Sequence, residues 1–158
     1  MSTTLLRKLA ILTDEDAEKC LNGLLHGLTL EKPEYARLLG STEDMEKVVE
    51  AAAEKRIQPE RVETITPEER SRAIRVLLVE LADHEKFGPE IETWIDGSRE
   101  TMLVPLAVPL VLAGIVLVLS IDIEIEYKNE DGKKKFGFKL KKSATSEKIL
   151  GKFFGLFS

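Results

Sequence analysis

Residues 114–140 read GIVLVLSIDIEIEYKNEDGKKKFGFKL, and the two halves of this stretch ask for different surroundings. The front half ends an uncharged run. The back half alternates. From Ile115 onward the odd positions are apolar (Ile115, Leu117, Leu119, Ile121, Ile123, Ile125, Tyr127), and Asp122, Glu124 and Glu126 fill even positions. Period two is the mark of a half-buried strand. Asp131-Gly132 is a turn signal, after which the even positions Phe136, Phe138 and Leu140 are apolar. A hairpin with a loop over 129–132 pairs Lys128 with Lys133. It sets Glu126 opposite Lys135, Asp122 opposite Lys139, Ile125 opposite Phe136, Ile123 opposite Phe138 and Ile121 opposite Leu140. Such cross-strand pairs contribute roughly 0.2–1 kcal/mol each. A lone hairpin does not hold in water, so its apolar face must rest on other structure.

Upstream, Met102 to Leu119 carries no charged or polar side chain. Its roughly 18 residues reach the lower edge of membrane-spanning length. Pro105 and Pro109 fall inside it, where each would cost a soluble helix about 3 kcal/mol and a lipid-embedded helix less. The residues expected to meet a membrane or an interface are Leu103, Leu106, Val111, Leu112, Ile115, Val116, Leu117 and Leu119. Lys128, Lys133, Lys134 and Lys135 lie on the C-terminal side of the run, which places that side in the cytoplasm. The acidic region before the run carries no signal peptide and belongs in the cytoplasm too. The run is therefore a span with an exported hairpin, a segment that inserts on demand, or protein core: buried strands, or an interface between copies of the chain.

Before the run, apolar stripes at helical spacing mark five or six short helices. Thr13-Asp14-Glu15-Asp16 opens one with Ala17, Cys20, Leu21, Leu24, Leu25 and Leu28 on a face. Pro33 starts another, and Ser41-Thr42 caps the one bearing Met45, Val48, Val49 and Ala52. Thr66-Pro67-Glu68-Glu69 is a capping box ahead of Ala73, Ile74, Leu77, Leu78 and Leu81. Gly88-Pro89 is expected to break the chain before a last short turn with Ile91, Trp94 and Ile95. At the other end, Ser146-Glu147-Lys148 opens a stripe of Ile149, Leu150, Phe153, Phe154 and Phe157. That closing helix either covers the hairpin or lies on a membrane surface.

The fold expected is α+β: a helical interaction domain over 1–97, the apolar segment over 98–120, and a lysine-rich hairpin with a closing amphipathic helix over 121–158. Charge follows this division. Residues 1–100 carry 22 acidic and 14 basic side chains, whereas 121–158 carry 6 acidic and 9 basic, all lysine. An acidic helical half repels phosphates, so nucleic acid is not the expected partner. Phe136 and Phe138 pair with the facing strand rather than stack on bases. Cys20 is the one cysteine, so no internal disulfide forms. His84-Glu85 lacks the second histidine of a zinc-protease motif, since Gly88 stands in its place. His26 reads as a packed or capping side chain, and no cofactor, metal set or catalytic group is expected.

The segment IDIEIEYKNEDGKKKFGFKLKK, entered from an apolar run and closed by a short Leu/Phe-rich helix, resembles small prokaryotic accessory or effector proteins of antiphage conflict systems. The resemblance covers about the last 60 residues and lies in pattern, so it transfers no functional residue. It implies a non-enzymatic protein that acts by association or by disturbing a membrane, in the cytoplasm or on the cytoplasmic side of the inner membrane. The partner expected is a membrane together with another protein or a second copy. The alternative is a soluble α+β binding or oligomerising module with the apolar run as core or interface.

Overall fold

The computed structural model of the chain describes residues 3–54, 61, 64–97, 103–141 and 143–157. Among the described residues six helices come first: α1 (Thr3–Ala10), α2 (Asp14–Glu31), α3 (Glu34–Leu39), α4 (Thr42–Ala53), α5 (Pro67–Ala82) and α6 (Phe87–Asp96). Then follow α7 (Leu110–Leu119), the strands β1 (Ile123–Glu130) and β2 (Lys133–Leu140), and α8 (Ala144–Gly155). Among the described residues the architecture is α+β and mostly helical, with one two-stranded antiparallel sheet.

Local chemistry sets the helix starts. Thr13 accepts from the Asp16 amide, Ser41 from the Asp44 amide, and Ser143 from the Ser146 amide. Thr66 and Glu69 exchange side-chain and backbone hydrogen bonds as a complete capping box. Each satisfies amides that the first turn leaves without an intrahelical partner. Gly88-Pro89 does not break the chain. Both residues sit in the first turn of α6, where a missing proline N–H costs no helix hydrogen bond.

The apolar run corrects the expectation of a membrane-spanning helix. Met102, its first residue, lies outside the described residues. Leu103 to Pro109 forms a non-helical arm, and Pro109 is the N-cap of α7. The helix that remains has 10 residues. At 1.5 Å per residue it is about 15 Å long, half of a bilayer's hydrocarbon core. Among the described residues no helix is long and apolar enough to cross a membrane. The helix starts only after Pro109, so the stretch with the two prolines stays outside it. All ten residues of α7 are buried, packed by α2, α4, α5 and α8. A helix apolar on every face needs such enclosure. At Gly114 there is no room for a side chain: a Cβ there would lie 2.5 Å from Leu77 Cδ1 of α5. The strand-like alternation of Ile115, Leu117 and Leu119 carried no information, because Val116 and Val118 between them are apolar as well.

One cluster of buried side chains draws on all eight of the described helices and on Ile123, so described residues from the stretches 1–97, 98–120 and 121–158 share a core. Helix α8 does not lie over the hairpin. Its main partners are α4, α5 and α7, and Phe153, Phe154 and Phe157 are buried. The hairpin rests instead on α3 and α4. The Tyr127 hydroxyl donates to Asp44 Oδ2 at 3.1 Å, and the Arg37 guanidinium stands 4.4 Å above the Tyr127 ring. Burial first, and then the charge of Asp44, raise the Tyr127 hydroxyl above its ordinary pKa.

The hairpin exists, but its register differs by two residues from the expected one. Ile123 faces Leu140, Ile125 faces Phe138, Tyr127 faces Phe136 and Glu130 faces Lys133. Asp131 (φ 52°) and Gly132 (φ 75°) are both left-handed, so these two residues reverse the chain alone. A shift of two keeps every side chain on its face, so apolar still meets apolar. Only the partners change.

Candidate interaction surface

Most of the side chains expected to touch a membrane or partner are core. Val111, Leu112, Ile115, Val116, Leu117, Leu119, Phe153, Phe154 and Phe157 are buried. Leu106 is half-buried, and Leu103 is 78% exposed. These two belong to the arm. Its burial alternates: Val104, Leu106 and Val108 turn inward, whereas Leu103, Pro105, Ala107 and Pro109 face solvent. The outward face of the arm is thus wholly apolar, with Leu103 a large exposed side chain. Ala107 ties the arm to the bundle by donating to the Leu39 carbonyl at 2.9 Å and accepting from Thr42 Oγ1 at 3.4 Å.

The expected charge pairs dissolve with the register. Glu126 faces Gly137 and makes an ion pair with Lys128 at 3.6 Å. Lys135 faces Lys128 and pairs with Glu130 at 2.9 Å. Lys139 faces Glu124. Asp122 lies before β1, far from the role of a cross-strand partner. Its Oδ2 accepts from the Ser143 amide at 3.2 Å, from the Ser143 hydroxyl at 2.8 Å, and from the Ser146 hydroxyl. Burial pushes this carboxyl upward, but the hydrogen bonds from Ser146 and Ser143 outweigh it and hold the pKa below the usual carboxylate value. The Ser146 hydroxyl also lies 3.3 Å from the Val118 carbonyl, so this node joins the end of α7 to the start of α8.

A second surface was missed by the core-seeking reading of α5. An open groove of about 790 Å³ runs between the outer face of α5 and the end of α8, with Val76, Val79 and Leu156 among its apolar lining. Glu68, Arg72, Arg75, Glu80 and Lys152 supply charge around it. Arg75 pairs with Asp14 at 2.9 Å, and Lys152 pairs with Glu80. Hydrogen bonds from Ser71 and then Arg75 hold the Asp14 carboxyl below its ordinary pKa. At about 100° per residue, Val76 and Val79 lie opposite the stripe of Ala73, Ile74, Leu77, Leu78 and Leu81. The sequence signal was available: two valines three apart on the polar side of an amphipathic helix.

His84 Nδ1 accepts from the Lys86 amide at 3.1 Å, and the His26 carbonyl accepts from Thr29. Among the described residues no group of three or more His, Cys, Asp and Glu side chains is placed to hold a metal ion. No protein-family model, curated protein or solved structure matches the chain.

Proposed function

We propose that this protein is a non-enzymatic association module: the apolar run forms its core, and an amphipathic helix of a partner protein docks in the groove between α5 and α8. The observation that carries this reading is the placement of Val76, Val79 and Leu156 in the groove wall, with charges of both signs around them. Helix-in-groove recognition takes an apolar stripe on a floor of this kind and sets polarity through rim charges. A module that works by binding also suits an accessory role in a conflict system.

The bilayer-engaging alternative asks α7 to leave its enclosure. Eight of its ten side chains are Leu, Val or Ile, and all are buried. At roughly 1.5–3 kcal/mol each, extracting them costs on the order of 20 kcal/mol before any lipid repays it. That is at least the whole stability of an ordinary domain. Association through the groove leaves the core intact.

The test is a photo-crosslinking residue at position 79 in cells that produce the protein. The expected result is a discrete adduct with another protein, abolished by Val76→Asp and absent when the crosslinker stands at Glu50. Absence of any adduct at position 79 overturns the reading.

A further inference from the structure

A cleft of about 730 Å³ lies between the α2–α3 corner and the base of the hairpin, away from the α5 groove. Ile123, Ile125 and Phe138 give it an apolar wall, and Lys32, Glu34 and Tyr35 line the other side. Lys32, Glu34, Ile125 and Phe138 are each half-buried, so the cleft opens to solvent. Three polar groups here have no match within the described chain. Tyr35 is 1% exposed, and its hydroxyl makes no hydrogen bond among the described residues. Burial, and after it the charge of Glu34, keep that hydroxyl protonated, so it meets a ligand as a donor. Lys32 and Glu34, on either side of Pro33, make no ion pair among the described residues. The neighbouring charges are matched: Glu126 pairs with Lys128 at 3.6 Å, Glu31 with Lys86 at 3.1 Å, and Glu124 faces Lys139 across the strands.

We propose that the cleft binds a short apolar peptide as a zwitterion. Its carboxylate lies on the Lys32 ammonium, with the Tyr35 hydroxyl donating to a carboxylate or carbonyl oxygen. Its ammonium lies on the Glu34 carboxylate, and its side chains pack against Ile125 and Phe138.

The charges of the wall select this class of ligand. A singly charged molecule would satisfy one of Lys32 and Glu34 and lie against the other, whereas a zwitterion satisfies both. Phosphate esters carry the wrong sign for a wall with three glutamates. The volume falls in the range of about 300–1,000 Å³ that holds drug-sized molecules, and two or three apolar residues use it better than one amino acid. The hydroxyl adds to the gain. A buried donor left unmatched costs about 1–3 kcal/mol, and a ligand oxygen beside it removes that cost.

Isothermal titration of the full chain with leucyl-leucine, leucyl-phenylalanine and phenylalanyl-leucine tests this. At least one dipeptide is expected to bind, and its N-acetylated and its C-amidated forms each to bind roughly tenfold more weakly. Lys32→Gln should weaken the free dipeptide and leave the C-amidated form unchanged, and Glu34→Gln should do the same for the free and N-acetylated forms. Tyr35→Phe should weaken binding without lowering the melting temperature of the free protein, which separates a ligand contact from a structural one. Val79→Asp in the α5 groove should leave binding unchanged. Failure of all three dipeptides to bind overturns the proposal, as does binding that neither Lys32→Gln nor Glu34→Gln weakens. A blocked form that binds as tightly as the free dipeptide overturns it in favour of a singly charged ligand.

Discussion

Asp122 and Ser143 are joined twice: one carboxylate oxygen accepts both the amide and the hydroxyl of Ser143, at 3.2 and 2.8 Å. Ser143 is at the same time the N-cap of α8, its hydroxyl facing the Ser146 amide. The whole hairpin lies between these two residues in sequence. One carboxylate therefore closes the loop that carries the hairpin and anchors the helix that follows it.

Asp122→Ala is expected to lower stability by about 2 kcal/mol, since it removes hydrogen bonds to a charged acceptor and leaves the start of α8 short of one. The folded-state pKa of Asp122 is depressed, so its contribution is complete above the unfolded value of 3.8 and is lost as pH falls through the folded value. Denaturant curves of the parent and Asp122→Ala should therefore differ at pH 7 and converge below about pH 3.8. A gap that stays constant down to pH 2 would mean that the ionised carboxylate is not what holds α8.

Tyr35 offers a stability change in the other direction. Its ring is buried in the core, and its hydroxyl is buried without a hydrogen-bond partner among the described residues. Burial, with Glu34 and Glu31 nearby, pushes the hydroxyl pKa up to about 12. Leaving such a group unsatisfied costs about 1–3 kcal/mol. Tyr35→Phe keeps the ring and removes the cost, so the melting temperature is expected to rise by about 2–4 °C for each kcal/mol recovered. A fall of that size would show that the hydroxyl has a partner.

What could be read from sequence here depended on how local each cause was. Caps at Thr13, Ser41 and Thr66, and the stripes beneath them, are chemistry within a turn or two, and the structure contains them. The two-residue reversal at Asp131-Gly132 is local as well, yet Asn129 and Glu130 are also polar, so pattern alone did not locate the turn's edges. The fate of the apolar run is a different matter. Whether Val111 or Leu117 meets lipid or protein depends on what surrounds it, and four helices far away in sequence decide that. Asp122 shows the same limit: its alternation fits a strand face, and the claim of Ser143 and Ser146 on it arises only after the chain has folded back. The α5 groove lay between these cases. Val76 and Val79 stood visibly off the stripe, but the wall containing Leu156 comes from the other end of the chain.

Gly114 of α7 packs directly against Leu77 of α5, and the contact is expected to behave as a coupled pair. Gly114→Ala places a Cβ 2.5 Å from Leu77 Cδ1, in a core where Leu77 is fully buried. Overpacking costs about 1–3 kcal/mol, against a helix-propensity gain of about 1 kcal/mol. In a Leu77→Val background the clash is relieved and the propensity gain remains, so the same Gly114→Ala change should become neutral or stabilising. A double-mutant cycle by denaturant unfolding measures this, with a coupling of about 1–2 kcal/mol expected. Strict additivity would mean that α7 does not pack on α5 at this point.

The hairpin register can be checked by charge exchange. Glu124 faces Lys139, and Lys135 reaches Glu130 at 2.9 Å, whereas Glu126 faces Gly137. Glu124→Lys should destabilise the hairpin, and adding Lys139→Glu should recover about 0.2–1 kcal/mol of the loss. Glu126→Lys with Lys135→Glu should show no coupling, because two residues of register separate them from the pairing that a four-residue loop would impose. Gly132→Ala should cost about 1 kcal/mol, since its φ of 75° lies where a side chain is strained. Cross-strand amide contacts by NMR supply the direct reading: Tyr127 with Phe136 and Ile125 with Phe138 are expected. Contacts of Ile125 with Phe136 instead would restore the four-residue loop, return Glu126 to Lys135, and leave the left-handed pair at Asp131 and Gly132 without a role.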